Sequence, residues 1–206
     1  MKKTKIAVFV SGGGTNLQAI IDYAELGKIP HGELALVLSS NPDAYALTRA
    51  EMHSIPVAVV PRKQFASQSD FEDEVCRVLA EREIEMIVLA GFMTILSENF
   101  VKKFPRRIIN VHPSLIPSFC GKGFYGLRVH QAALDYGVKV TGATVHFVNE
   151  IPDGGEIILQ KAVTVRKDET PESLQNHVMK RAEWIILPRA TEMVARMIAS
   201  GNDKLE

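Results

Sequence analysis

The sequence predicts an α/β fold, a mostly parallel, doubly wound sheet with helices on both faces and an antiparallel C-terminal extension. Short, near-continuous runs of Val, Ile and Leu alternate with amphipathic stretches as far as residue 112, the pattern of strands covered on both faces. Beyond residue 137 two strand-like runs flank an Asp-Gly turn, which marks an antiparallel pair. At 206 residues, 46% of them hydrophobic, the chain is sized for one domain (1–206) with a substantial core.

The elements follow in order. KIAVFVS is the first strand and NLQAIIDYAELG the first helix. ELALVLSS with AYALTRAEMHS, and VAVVP with SDFEDEVCRVLAERE, repeat the unit. MIVLAG with SENFVKKF makes a fourth, and RIINVH is a fifth buried strand. KVTGATVHFV and GEIILQKAVTV then flank NEIPDG as the antiparallel pair. A last helix begins near Thr170 and Pro171, where Thr caps and Pro suits the first turn, and runs toward Ser200.

Lys plus Arg and Asp plus Glu each number 24, so no basic stripe offers itself to nucleic acid and any anion site must be local. Cys76 and Cys120 stand far apart with no CxxC, the usage of reduced thiols in a cytoplasmic protein. MKKTKIAVFVSGGG imitates a signal peptide, but its apolar run is only about six residues and breaks into glycines. No segment has the length and apolarity of a membrane span.

VSGGGTN joins the first strand to the first helix. Glycines allow a tight turn and close backbone approach, and the free N–H groups of the helix start attract an anion. The same residues also serve a plain strand-to-helix turn capped by Thr15 or Asn16. Leu17 stands where a dinucleotide loop has its third glycine, LSSN offers no acid for a ribose, and no GK[ST] follows. A phosphomonoester fits this loop better than NAD or ATP.

Asn110 and His112, two apart on a strand, point to the same side at its carboxyl end, where open parallel sheets bind ligands. An amide donor beside an imidazole suits oxyanion stabilisation and proton transfer in acyl chemistry. The alternative is a turn bond from Asn110 and a core role for His112. Asp153, in IPDGGEI, is a hairpin residue by default, although a carboxylate near an imidazole would favour its protonated form. Ser114 lacks a nucleophile elbow, and no Cys/His cluster or HExxH supports a metal. His31, His53, His130, His146 and His177 have no motif context and read as surface or core residues, and Trp184 as helix packing.

FVSGGGTNLQAII, LAGFMTILS, IINVHPSLIPSF and TVHFVNEIPDGGEIILQ, in this order and spacing, resemble the phosphoribosylglycinamide formyltransferase family of the folate-dependent formyltransferases, over residues 5–190. The resemblance implies a Rossmann-like sheet with an antiparallel C-terminal extension. It implies formyl transfer from 10-formyltetrahydrofolate to the glycine amine of glycinamide ribonucleotide, in purine biosynthesis. The folate is a cosubstrate, with no bound cofactor and no metal. Asn110, His112 and Asp153 match the catalytic trio. Gly14, Thr15 and Asn16 match the phosphate-holding positions, and Glu183 a ribonucleotide contact. Phe92, Met93, Thr94, Ile95 and Leu96, with Val148, Asn149 and Glu150, match the segments enclosing the pteridine, which Asn110 also faces.

Two departures stand out. Thr94 and Gln68 occupy positions that are basic in many relatives, near the expected folate tail. SFCGKGFYGLRVH is longer than its counterpart, and its three glycines mark a mobile surface loop carrying Lys122. Two other readings stay open, a formyltetrahydrofolate deformylase and a non-catalytic phosphosugar-binding module. The deformylases carry an N-terminal regulatory domain, whereas the first strand here starts by residue 5. The tRNA-formylating relatives add a C-terminal RNA-binding domain, whereas NDKLE alone follows the last helix.

Overall fold

The computed structural model describes residues 2–202 and 204–205. The predicted domain ends at residues 1 and 206, and Asp203 of the terminal NDKLE, lie outside the described residues. Among the described residues seven strands form one sheet. They are β1 (Thr4–Val10), β2 (Gly32–Ser39), β3 (Val57–Val59), β4 (Met86–Leu89), β5 (Ile108–His112), β6 (Val140–Phe147) and β7 (Ile157–Thr164), in the order β3-β2-β1-β4-β5-β6-β7. The first five are parallel, while β6 and β7 are antiparallel to their neighbours, as expected from the sequence.

Alternate residues of β1 feed two cores. Ile6, Val8 and Val10 pack with α1 (Thr15–Glu25) and α7 (Trp184–Ala199), whereas Ala7 and Phe9 pack with α3 (Gln68–Glu81) and α4 (Glu98–Lys102). This two-sided burial is why the strand reads as an unbroken apolar run. The chain winds outward from β1 to β3, then returns to β4 on the other side of β1. That reversal opens a crevice between the loops after β1 and β4.

α2 (Tyr45–Met52) and α6 (Pro171–Val178) complete the predicted helices. Thr170 caps α6 through a reciprocal bond with Ser173. One helix is additional: α5 (Leu127–Tyr136) occupies the end of the segment read as loop and the residues after it. Its glycine-rich approach hides a short buried stripe of Val129, His130 and Ala133. The last helical run also differs from a simple helix. A π turn (Met179–Glu183) separates α6 from α7, and Pro188, with no N–H for the Trp184 carbonyl, follows in the first turns of α7.

Candidate active site

The chain leaves β1 through Ser11 and three glycines. Gly14 has φ 72°, and a Cβ there would stand 2.6 Å from the Ala46 Cβ, so backbone and space both demand glycine. The loop carbonyls are tied back. Gly12 accepts from the Ala46 N–H at 3.1 Å, and Gly13 from Arg49 Nε at 2.8 Å. The first α1 bond runs from Gln18 N–H to the Gly14 carbonyl, leaving the N–H groups of Thr15, Asn16 and Leu17 without helical partners. No side chain caps them. Bare N–H groups at the positive end of a helix form an anion site.

The plain-turn alternative, with Thr15 or Asn16 as N-cap, is not what forms, because Gly14 holds that position. Both side chains turn instead to the π turn. Thr15 Oγ1 lies 3.8 Å from Met179 Sδ, and Asn16 Nδ2 donates to Glu183 Oε2 at 2.7 Å. Burial pushes the Glu183 carboxyl up to about 7, against the opposing bond from Asn16. Asn16 Oδ1 is buried and has no partner among the described residues. Residues 167 positions apart thus meet beside the anion site.

Asn110, His112 and Asp153 also come together, at the end of β5. His112, 4% exposed, donates from Nε2 to the Phe119 carbonyl at 2.9 Å, and its Nδ1 lies 3.5 Å from Asp153 Oδ2. Asp153 sits in the turn after β6 at φ 56°, and its Oδ2 accepts the Gly121 N–H at 2.8 Å. The neighbouring Gly155 is obligatory, since a Cβ there would stand 1.7 Å from the Phe147 carbonyl. Burial works to raise the Asp153 carboxyl. The His146 contact, the Gly121 N–H and the charges of His112 and His146 outweigh it and hold the group below its ordinary value.

Sequence reasoning missed one member of this cluster. His146, read as a surface or core residue, is buried directly across the sheet from Asn110. In the neutral ring Nδ1 donates to the Phe147 carbonyl at 2.8 Å and Nε2 accepts the Asn110 amide at 3.3 Å, whereas in the protonated ring Nε2 is a donor facing Asp153. The same Nε2 lies 3.6 Å from Asp153 Oδ1. The signal was present only in strand pairing, which a lone His in TVHF does not announce. His130 on α5 is buried as a core residue, and burial, with the charge of His112, lowers it to about 4. Among the described residues no cluster of His, Cys, Asp or Glu could hold a metal ion.

Two segments bracket this centre. Phe92, Met93, Thr94, Ile95 and Leu96 follow β4, while Val148, Asn149 and Glu150 follow β6, on either side of β5. Phe92 packs edge-on against Phe9 with centroids 5.2 Å apart, and the Met93 N–H reaches Ser11 Oγ at 3.0 Å. Met93 and Ile95 are 64% and 81% exposed, apolar side chains with no protein to cover them. Gln68 is a brace: its amide donates to the Ile95 carbonyl at 3.0 Å and to Glu72 Oε1 at 2.7 Å. Buried Glu72 in turn accepts the Ser97 N–H at 2.6 Å. Val148 donates its N–H to the Ile108 carbonyl, and Asn149 Oδ1 accepts the Ile151 N–H.

An open α/β sheet with an uncapped helix start and an Asn-His-Asp cluster at the carboxyl ends of its strands has the groups that small-molecule group transfer requires. The formyl transferase family matches residues 4–191, and the chain belongs to that family. Its likeness runs to the phosphoribosylglycinamide formyltransferases in particular. It is 41% identical to the phosphoribosylglycinamide formyltransferase of Haemophilus influenzae, over 89% of this chain and 84% of that protein. It is 45% identical to the trifunctional purine biosynthetic protein adenosine-3 of Gallus gallus over 94% of this chain, but spans 18% of that protein's length. The crystal structure of glycinamide ribonucleotide transformylase 1 from Symbiobacterium toebii superposes with a TM-score of 0.88. The two are 37% identical, over 99% of this chain and 91% of that one.

Proposed function

We propose that the chain is a phosphoribosylglycinamide formyltransferase of purine biosynthesis, which moves the formyl group of 10-formyltetrahydrofolate to the glycine amine of glycinamide ribonucleotide. The observation that carries this reading is the convergence of Asn110, His112 and Asp153 at one end of β5, beside a helix start with free N–H groups. The bare N–H groups after Gly14 take the ribonucleotide phosphate, and Asn16 with Glu183 meets its polar body. The folate pteridine lies between the segments after β4 and β6, against Met93 and Ile95.

The residues divide the chemistry. Attack of the amine on the formyl carbon makes a tetrahedral intermediate with an oxyanion. The Asn110 amide has two hydrogens. His146 accepts one, and this fixes the amide so that the second can reach the oxyanion. His112 lies between the Phe119 carbonyl and Asp153. Once its Nε2 exchanges the Phe119 carbonyl for substrate, that nitrogen carries the proton from the attacking amine toward the leaving folate nitrogen. Asp153 Oδ2, 3.5 Å from His112 Nδ1, orients the ring. The reading includes one domain over residues 1–206 and a cytoplasmic location, which the free thiols of Cys76 and Cys120 support. Among the described residues no helix is long and apolar enough to cross a membrane.

The test is folate deformylation with and without glycinamide ribonucleotide. Formyl loss that depends strictly on the ribonucleotide is expected. Equal turnover without it would replace the transferase with a deformylase.

A further inference from the structure

The wall between β7 and α6 concentrates positive charge away from the Asn-His-Asp cluster. Two adjoining hollows of about 540 and 650 Å³ open there and share Arg166, His177 and Arg181. Lys161 on β7, with Lys167 and Lys180, completes a group of five cations around His177. In a chain of 24 basic and 24 acidic residues this is a local excess. No head group of the five finds a hydrogen-bond or ion-pair partner among the described residues.

Glu169, the one acid lining either hollow, is already engaged. Its Oε2 accepts the Arg166 N–H at 2.8 Å, and its Oε1 meets His177 Nδ1 at 2.9 Å. The Glu169 and His177 side chains are only 7% and 12% exposed, so a mostly buried carboxylate fixes the imidazole and leaves Nε2 on the far side of the ring. β7 is also the edge of the sheet, so backbone donors on its outer side lack strand partners.

We propose that this cleft is a second anion site, which takes a small ligand bearing two or more phosphates. Five cations exceed what one phosphate needs. Two arginines suit phosphate oxygens in a forked geometry that lysines alone do not provide. The volumes fall within the roughly 300–1,000 Å³ usual for small-ligand sites. Ala162 and Ile185 add a small apolar surface on which a nucleoside could lie. None of these residues belongs to the glycine loop, the Asn-His-Asp cluster or the two folate segments. Lys180 and Arg181 do share the π turn with Met179 and Glu183, which meet Thr15 and Asn16, so the KM for the ribonucleotide is the readout that separates the two sites.

Titration calorimetry with tripolyphosphate and, separately, with ATP tests it, using wild type and Arg166→Gln/Arg181→Gln at near-physiological salt. The double variant should bind at least about tenfold more weakly, with its melting temperature and its KM for glycinamide ribonucleotide unmoved. If that variant fails to fold, Lys161→Gln/Lys167→Gln carries the same expectation. Tighter binding of ATP than of tripolyphosphate identifies a nucleotide. Equal affinities identify the phosphate chain alone, and either keeps the site. No binding by wild type, equal affinity in variant and wild type, or a parallel rise in KM would overturn it.

Discussion

Asn110 and His146 share one hydrogen bond, and their replacement should separate oxyanion support from its alignment. Asn110→Ala removes a preorganised donor and should lower kcat by roughly 10²–10³-fold, with smaller changes in KM. His146→Leu leaves the donor in place but unanchored, and its loss of kcat should be the smaller of the two. Equal losses would mean that His146 does more than align. Asp153→Asn keeps a residue tolerant of φ 56° and suited to the Asp-Gly turn, so the fold should survive. The carboxylate facing two imidazoles disappears, and kcat against pH should fall and change shape. Near-normal turnover with an unmoved profile would leave Asp153 a turn residue only. Glu183 supplies a stability test. Its folded value of about 7 lies above the ordinary 4.5, so the folded protein holds the proton between them and this contribution is lost as pH rises through that window. Glu183→Gln should therefore gain on wild type between pH 5 and pH 8 in urea melts, by at most about 3 kcal/mol.

The glycine loop and the strand ends act as elements. Gly14→Val must displace Ala46 and adopt a left-handed backbone, so the N–H groups at the start of α1 shift. The KM for glycinamide ribonucleotide should rise more than that for the folate, and the dephosphorylated riboside should bind wild type far more weakly. Equal affinity for nucleotide and riboside would remove the phosphate from this helix start. Thr94 lies on the half-buried loop between β4 and α4. An added arginine there offers the folate tail one exposed charge, so Thr94→Arg should change folate KM by about tenfold or less and leave kcat alone. At this scale the sequence was readable in proportion to locality. Asn110 and His112 share a strand face two residues apart, and the glycines follow β1 directly. His146 joins them only through the β5–β6 pairing, and the Asn16–Glu183 bond spans the chain, so neither can be seen in a window of neighbours. Helix α5 was hidden by the glycines before it, and the π turn by a helical pattern that continues on both sides.

Over the whole molecule, one sheet links every strand and both of its faces are covered, which is why periodicity alone yielded the parallel half of the fold. The antiparallel pair was legible for a different reason, its Asp-Gly turn. Strand order was not, because no local residue pattern encodes the return from β3 to β4. A single sheet with α7 packed against α1 should unfold as one unit. The fluorescence of Trp184, the only tryptophan, and far-UV circular dichroism should trace one coincident urea transition. Separate midpoints would divide the chain into two cooperative parts.

β3, three residues long, closes one side of the sheet, whereas β7 closes the other with eight. In IILQKAVT, Lys161 is the only charge and there is no proline, so this lysine alone interrupts a segment rich in strand-forming residues. An edge of that length and composition can recruit a second chain by backbone pairing, and a mid-strand charge opposes the approach of its own kind. Solubility at high concentration thus rests on a side chain remote from the Asn-His-Asp cluster. Lys161→Val should leave kcat unaltered while light scattering sets in at lower protein concentration.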